Sequence, residues 1–188
     1  MTRIIAGSGK GRRLKAPKGL ATRPTGARVK KTLFDILTPR LPGCRFLDAF
    51  AGSGGIGLEA LSRGASRVVM VESSAAAVTA IKDNLELLRG QGGEGQVFRQ
   101  DARIALAALA DTGVRFHVVY LDPPYESDLY EPFLEQIGET GLLEKEGVVV
   151  AEHFHKRPLP EKIGRLSRTR QVRVGDHCLS FYRLEEGA

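Results

Sequence analysis

Apolar residues along this chain fall into short blocks, and between the blocks they recur at the three-to-four spacing of a helix face. Arg45 to Ala49, Arg67 to Val71, Gln96 to Gln100, Phe116 to Leu121 and Gly147 to Ala151 are such blocks, and each predicts a strand. Val118-Val119 and Val148-Val149-Val150 lack the polar alternation of a half-exposed strand, so they suit a sheet covered on both faces. The intervening segments predict helices over Gly54 to Arg63, Ser74 to Leu88, Ala102 to Ala110 and Leu129 to Ile137. Gly64 stops the first of these. Ser73 or Ser74 caps the second, with Val78, Ile81, Leu85 and Leu88 along its buried stripe. An earlier helix is expected after a Thr25 cap, with Val29, Leu33, Ile36 and Leu37 on one face and an end before Pro39 and Pro42. Alternation of strand and helix predicts an open, mostly parallel sheet with helices on both faces. The end of the chain departs from this rhythm. Thr169 to Val174 and Cys178 to Leu184 are joined by Gly175-Asp176-His177 with no helix between, which predicts an antiparallel hairpin at one edge of a seven-stranded sheet.

The 188 residues, 42% hydrophobic and 27% charged, fit one globular domain spanning 1–188. Within it, 1–22 is expected to be an arm and 23–188 the core with its leading helix. No apolar run is long enough to cross a bilayer and the first residues lack a signal peptide's apolar stretch, so a cytoplasmic protein with no membrane partner is expected. Cys44 and Cys178, far apart and without partners at metal-ligand spacing, read as free thiols. The net charge of +6 is unevenly spread: residues 1–40 hold +10 and the remainder −4. Lys156 to Arg173 forms a second basic stretch. Charge confined to two segments of a mildly acidic body is the footprint of a polyanion binder, although Lys and Arg also defend exposed strand edges. The first stretch, from Thr2 to Pro17, is punctuated by Gly7, Gly9 and Gly11 and reads as a basic hairpin or arm presenting Arg3, Lys10, Arg12, Arg13 and Lys15.

Asp48-Ala49-Phe50-Ala51-Gly52-Ser53-Gly54-Gly55-Ile56-Gly57 leaves the first strand, turns on glycines and enters a helix, the place where an open α/β sheet binds its ligand. Gly52, Gly54 and Gly57 satisfy G-x-G-x-x-G, a weak signal alone because tight strand-to-helix turns need glycine in any case. Acids sharpen it. A pyrophosphate at this loop would be repelled by Asp48, whereas a ligand bearing an ammonium and a sulfonium would be attracted. Glu72, with Ser73, ends the second strand, where an acid meets ribose hydroxyls, and Asp101, with Ala102, follows the third, where it can accept from an adenine amino group. Each acid alone could equally be a strand-end or N-cap carboxylate.

The fourth strand runs directly into Asp122-Pro123-Pro124-Tyr125. Two prolines end the strand and fix an extended backbone. An exocyclic amino group of a nucleobase is a poor nucleophile, because its lone pair is delocalised into the ring. Acceptors aimed at its N–H groups, the Asp122 carboxylate and the Pro123 carbonyl, would hold the nitrogen toward a methyl donor and favour localisation of that lone pair. Tyr125 offers a ring for the base to stack on.

These residues resemble the class I, Rossmann-like methyltransferases and, more narrowly, the RsmD family of bacterial 16S rRNA guanine-N2 methyltransferases. The likeness runs through Arg3-Ile4-Ile5-Ala6-Gly7, Gly11-Arg12-Arg13-Leu14, Arg23-Pro24-Thr25 with Arg28-Val29, Asp48 to Gly54, Gly57-Leu58-Glu59-Ala60-Leu61-Ser62-Arg63-Gly64-Ala65, Glu72 and Asp122 to Tyr125. It implies a Rossmann-like methyltransferase fold and S-adenosylmethionine as cofactor, held by Asp48, Phe50, Ala51, Gly52, Ser53, Gly54, Gly57, Glu72, Ser73, Asp101, Ala102 and Asp122. It further implies catalysis by Asp122 to Tyr125 and an rRNA substrate within an assembled or nearly assembled 30S particle, contacted by the arm and by Arg23, Thr25 and Arg28. A monomer is expected. Asp-Pro-Pro-Tyr also looks like adenine-N6 DNA methyltransferases, so guanine is favoured by the family and not by the motif's chemistry. Two other classes stay open at this point. An NAD(P)-linked oxidoreductase would leave Asp48 and the double proline unexplained, and a silent RNA-binding module would leave Asp122 and Tyr125 without work. His153 and His155 share a strand face but lack a third ligand, so no metal is expected.

Overall fold

A computed structural model describes residues 3–17, 26–90, 92–124 and 129–185. Its strands are β1 (Arg45–Asp48), β2 (Arg67–Glu72), β3 (Glu94–Arg99), β4 (Phe116–Leu121), β5 (Leu143–Phe154), β6 (Lys162–Ile163), β7 (Leu166–Val174) and β8 (His177–Leu184). They form one sheet in the order β3-β2-β1-β4-β5-β8-β7-β6. The first five pair in parallel and the last three antiparallel. The expected seven strands are therefore eight. The extra one is the two-residue β6, which reverses through Gly164 onto the start of β7 and is too short to show a period of two in the sequence. That reversal also moves the start of β7 back from Thr169 to Leu166, and Leu166 and Ile163 are both buried.

Among the described residues five α-helices, α1 (Ala27–Leu37), α2 (Gly57–Ser62), α3 (Ala75–Glu86), α4 (Ala102–Asp111) and α5 (Tyr130–Glu139), cover the sheet, which accordingly has a core on each face. From Val118 onward alternate residues of β4 divide between the two, Val118 and Tyr120 on one side and Val119 and Leu121 on the other, and Phe116 joins the second across a register shift against β5. α2 begins at Gly57, not Gly54, because the chain first closes a turn in which Gly54 N–H bonds the Ala51 carbonyl at 2.7 Å. α3 has the expected Ser74 cap and buries Val78 and Ile81, joined by Ala77, Ala80 and Asn84, while Leu85 is only half-buried. In α1 the buried face is Val29, Lys30, Leu33, Phe34 and Leu37, with Ile36 half-buried; the expected cap Thr25 lies outside the described residues. No described helix is long and apolar enough to cross a membrane.

The arm folds back on the body. Arg3 and Arg13 form an antiparallel bridge, Ile4 N–H donates to the Arg12 carbonyl and Gly11 N–H to the Ile4 carbonyl, and the apolar Ile4 and Leu14 are buried. Its underside is clasped by α2: Ile5 and Ala6 N–H donate to the Glu59 carboxylate at 2.8 and 3.0 Å, and Gly9 N–H donates to Ser62 Oγ at 2.9 Å. Gly7 sits so close to α2 that a Cβ there would lie 1.8 Å from the Ser62 carbonyl oxygen, so no other residue fits without displacing the arm. Further along, Asn84 of α3 receives the Lys15 N–H and donates to the Lys15 carbonyl.

Candidate active site

A cleft of about 530 Å³ opens at the carboxyl ends of β1, β2, β3 and β4. Phe50, Gly52, Glu72, Ser73, Asp101, Ala102, Asp122, Pro123 and Pro124, nine of the residues singled out from sequence, line it. Ala49, Val71, Gln100 and Leu129 line it as well and were not anticipated. Ala51, Ser53, Gly54 and Gly57 are absent from its wall and instead shape the loop behind it. Gly52 makes the turn with φ +54°, a left-handed conformation that side chains seldom adopt, and its N–H donates to Glu72 Oε2 at 2.8 Å. Ser74 N–H takes the other Glu72 oxygen at 2.8 Å. Two backbone donors thus aim this carboxylate, and each oxygen keeps a lone pair for a ligand.

Asp48 lies under the loop, 1% exposed. Its Oδ2 accepts the Gly57 N–H at 3.0 Å, while Oδ1 is buried without a hydrogen-bond partner. Desolvation pushes its carboxyl up to about 7, helped by the nearby Glu72 charge and opposed by the Gly57 and Phe50 N–H groups. Asp122, only partly covered, is also held well above the ordinary carboxylate range, by desolvation first and then by the charges of Glu152 and Asp48. Acids gathered in a poorly solvated place, one with an orphaned oxygen, suit a cationic ligand and oppose a phosphate. S-adenosylmethionine, which bears a sulfonium and an ammonium, fits that donor set; a dinucleotide does not.

Asp101 does what its bland reading predicts: exposed, it caps α4 by accepting the Arg103 N–H on Oδ1 at 2.9 Å, and it also lines the cleft. Phe50 is braced edge-on against Phe133 of α5 at 5.0 Å. Tyr125, Arg23 and Thr25 lie outside the described residues. Arg3, Lys10, Arg12, Arg13, Lys15 and Arg28 are all exposed, and Lys15 meets Asp83 at 2.9 Å. The two histidines part company. His153 is fully buried, its Nε2 against Ser180 Oγ and its Nδ1 against the Arg157 carbonyl, both at 2.9 Å, whereas His155 reaches the surface. Among the described residues no three His, Cys, Asp or Glu side chains gather as a metal site.

Sequence reasoning missed a second buried polar group, Glu152 with Tyr120 and His177. The signal was present: Glu152 follows Val148-Val149-Val150-Ala151 as Asp122 follows β4, at the carboxyl end of its core block.

Comparison with known proteins agrees with this geometry. Residues 2–183 match the family described as conserved hypothetical protein 95. YlbH of Bacillus subtilis (strain 168), an rRNA methyltransferase by name, is 42% identical over 96% of this chain and 98% of its own. Ribosomal RNA small subunit methyltransferase D of Escherichia coli (strain K12) is 33% identical over 97% of this chain and 90% of its own. The solved structure of the Escherichia coli methyltransferase yhhF superimposes with a TM-score of 0.83 at 31% identity, covering 98% of both chains. Sheet order, acidic cleft and relatives converge, and the chain belongs to the RsmD family of S-adenosylmethionine-dependent, Rossmann-like methyltransferases.

Proposed function

We propose that the enzyme methylates the N2 amino group of one guanine in 16S rRNA, acting as a cytoplasmic monomer on an assembled or nearly assembled 30S particle. The observation behind this reading is the meeting of Asp122-Pro123-Pro124 with Glu72 and Asp101 around one cleft, with the orphaned Asp48 oxygen buried beneath its glycine loop, in a chain whose relatives are named for the small-subunit rRNA. S-adenosylmethionine supplies an electrophilic methyl group. Asp48 answers its cationic end, the lone pairs left on Glu72 accept from the ribose hydroxyls, and the second oxygen of Asp101 accepts from the adenine amino group. Asp122 and the Pro123 carbonyl accept the two N–H groups of the target, fixing the nitrogen for attack. Tyr125 stacks on the extracted base, worth about 1–3 kcal/mol against the few kcal/mol that unstacking costs. The methylated amine is acidic enough to release its surplus proton to water. Arg3, Lys10, Arg12, Arg13 and Lys15, with Arg23, Thr25 and Arg28, hold the surrounding phosphates.

The test is labelled methyl transfer to unmethylated 30S particles, naked 16S rRNA and DNA in parallel, with the product nucleoside identified by mass spectrometry. The expected product is N2-methylguanosine from particles. N6-methyladenine from DNA would replace this reading with the other Asp-Pro-Pro-Tyr chemistry.

A further inference from the structure

At the carboxyl end of β5 lies a buried acid to which no step above gives work. Glu152 is 0% exposed and follows directly on the pairing of Leu121 with Ala151, which puts it one strand across from Asp122. Tyr120 pairs with Val150 on one side and Asp48 on the other, so Asp48, Tyr120, Asp122 and Glu152 belong to one face of the sheet. Three elements hold Glu152 in place. The Tyr120 hydroxyl donates to Oε2, His177 Nδ1 of β8 lies 2.9 Å from Oε1, and the Tyr130 hydroxyl of α5 donates to the main-chain carbonyl at 2.7 Å. A neutral residue of the same shape would spare the fold the desolvation of this carboxylate. Its retention beside the Asp-Pro-Pro segment needs another reason.

We propose that Glu152 is a positioning residue for methyl transfer: fixed by Tyr120 and His177 behind Asp122, it keeps the acceptor edge that receives the target amino group negative. This rests on the reading of Asp122 given above. As the nitrogen lone pair forms the new N–C bond, the electron pair of the old bond stays with sulfur and positive charge appears on the nitrogen, to be relieved when a proton passes to water. A fixed negative charge behind Asp122 favours that charge more in the transition state than in the ground state. The same charge opposes deprotonation of Asp122, alongside burial and Asp48. Glu152 therefore disfavours the ionised form of its neighbour yet speeds the chemistry, two effects of opposite sign that no purely structural role produces. The groups on its side of the sheet are Tyr120 and Asp122 from β4 and His177 from β8, with Asp48 one strand further on β1, while Tyr130 of α5 reaches its main-chain carbonyl.

Glu152→Gln keeps the shape and an acceptor for Tyr120 while removing the charge. Its kcat should fall about 10- to 100-fold, the scale of losing part of a preorganised electrostatic site. The acid limb of kcat/KM should move to lower pH. Melting temperature should not fall, and the dissociation constants of S-adenosylmethionine and unmethylated 30S particles, measured by calorimetry and filter binding, should stay within about threefold. A kcat within twofold of the parent with an unmoved limb would overturn the proposal, and so would a loss of Tm and of both affinities with the limb in place. Asp122→Asn is assayed in parallel. Retained turnover there would sink the reading of Asp122, whereas inactive Asp122→Asn beside fully active Glu152→Gln would sink the role of Glu152 alone. If Glu152→Gln does not fold, Tyr120→Phe decides: it leaves the charge but removes the hydroxyl that orients it, and an unchanged kcat in that variant overturns the proposal.

Discussion

Two buried carboxylates on the same side of the sheet are treated in opposite ways. Glu59 on α2 is 0% exposed and meets four donors: the Ile5 and Ala6 N–H groups, Arg63 Nε at 2.8 Å and Lys30 Nζ at 2.9 Å. Burial pushes its carboxyl up, but Lys30, the Ile5 N–H and Arg63 together outweigh that and hold it below the usual range. Asp48, 1% exposed, is met by the Gly57 and Phe50 N–H groups and by none of the cations that serve Glu59, and burial carries it to about 7. A charge that serves the fold is compensated where it stands. A charge left uncompensated is waiting for a ligand to complete it, and this difference separates the arm clasp from the cleft more sharply than burial does.

The comparison can be broken most directly at Asp122. Asp122→Ala should lower turnover by about 10³-fold, the scale of a lost transition-state contact, while S-adenosylmethionine affinity changes by less than a few-fold. Comparable losses in both would assign Asp122 to binding alone. Glu59→Ala tests the other region. Removing the acid leaves Lys30, 3% exposed, without its ion-pair partner, so unfolding by denaturant should show a loss of about 3–5 kcal/mol, with early proteolysis of the arm. Unchanged stability would mean that the clasp contributes nothing. The third prediction concerns pH. Because the Asp48 carboxyl is raised, the free protein is most stable with that proton bound and loses this contribution as pH rises through about 7. A cationic ligand prefers the ionised form, so affinity for S-adenosylmethionine should rise about tenfold between pH 6 and 8 and then level off, as calorimetry would register. A flat profile would detach Asp48 from the ligand. The smallest effect on the fold is expected for Arg12→Ala with Arg13→Ala: unaltered melting temperature, weaker particle binding, and a log–log salt slope shallower by about 2. These substitutions are cleaner than deletion of the arm, which would also strip Glu59 of two donors.

The parallel half of the sheet was legible because fully buried strands write themselves as Val-rich runs, and the cleft was legible because its acids stand at the ends of those runs. What escaped depends on contacts distant in sequence. Glu59 belonged to a recognisable stretch, yet its clasp on Ile5 and Ala6 spans more than fifty residues and leaves no periodic trace. Lys30 falls among the buried positions of α1, where its ion pair with Glu59 explains a lysine and no local pattern marks it. Glu152 was overshadowed by the adjacent His153-Phe154-His155, of which His153 lies within β5 and is buried while His155 lies past the end of the strand and is less covered. β6 is held by a reversal, not by a pattern.

The clasp on the arm also bears on the speed of recognition. Under the proposed role of the arm, cations mounted on a segment already folded against α2 would meet a polyanion as a fixed array, and capture would require no ordering step after encounter. Association should then be single-exponential and governed by charge steering, fast in dilute salt and slowing steeply as ionic strength rises. Freeing the arm would turn that one-step capture into a two-step process with a folding phase of its own.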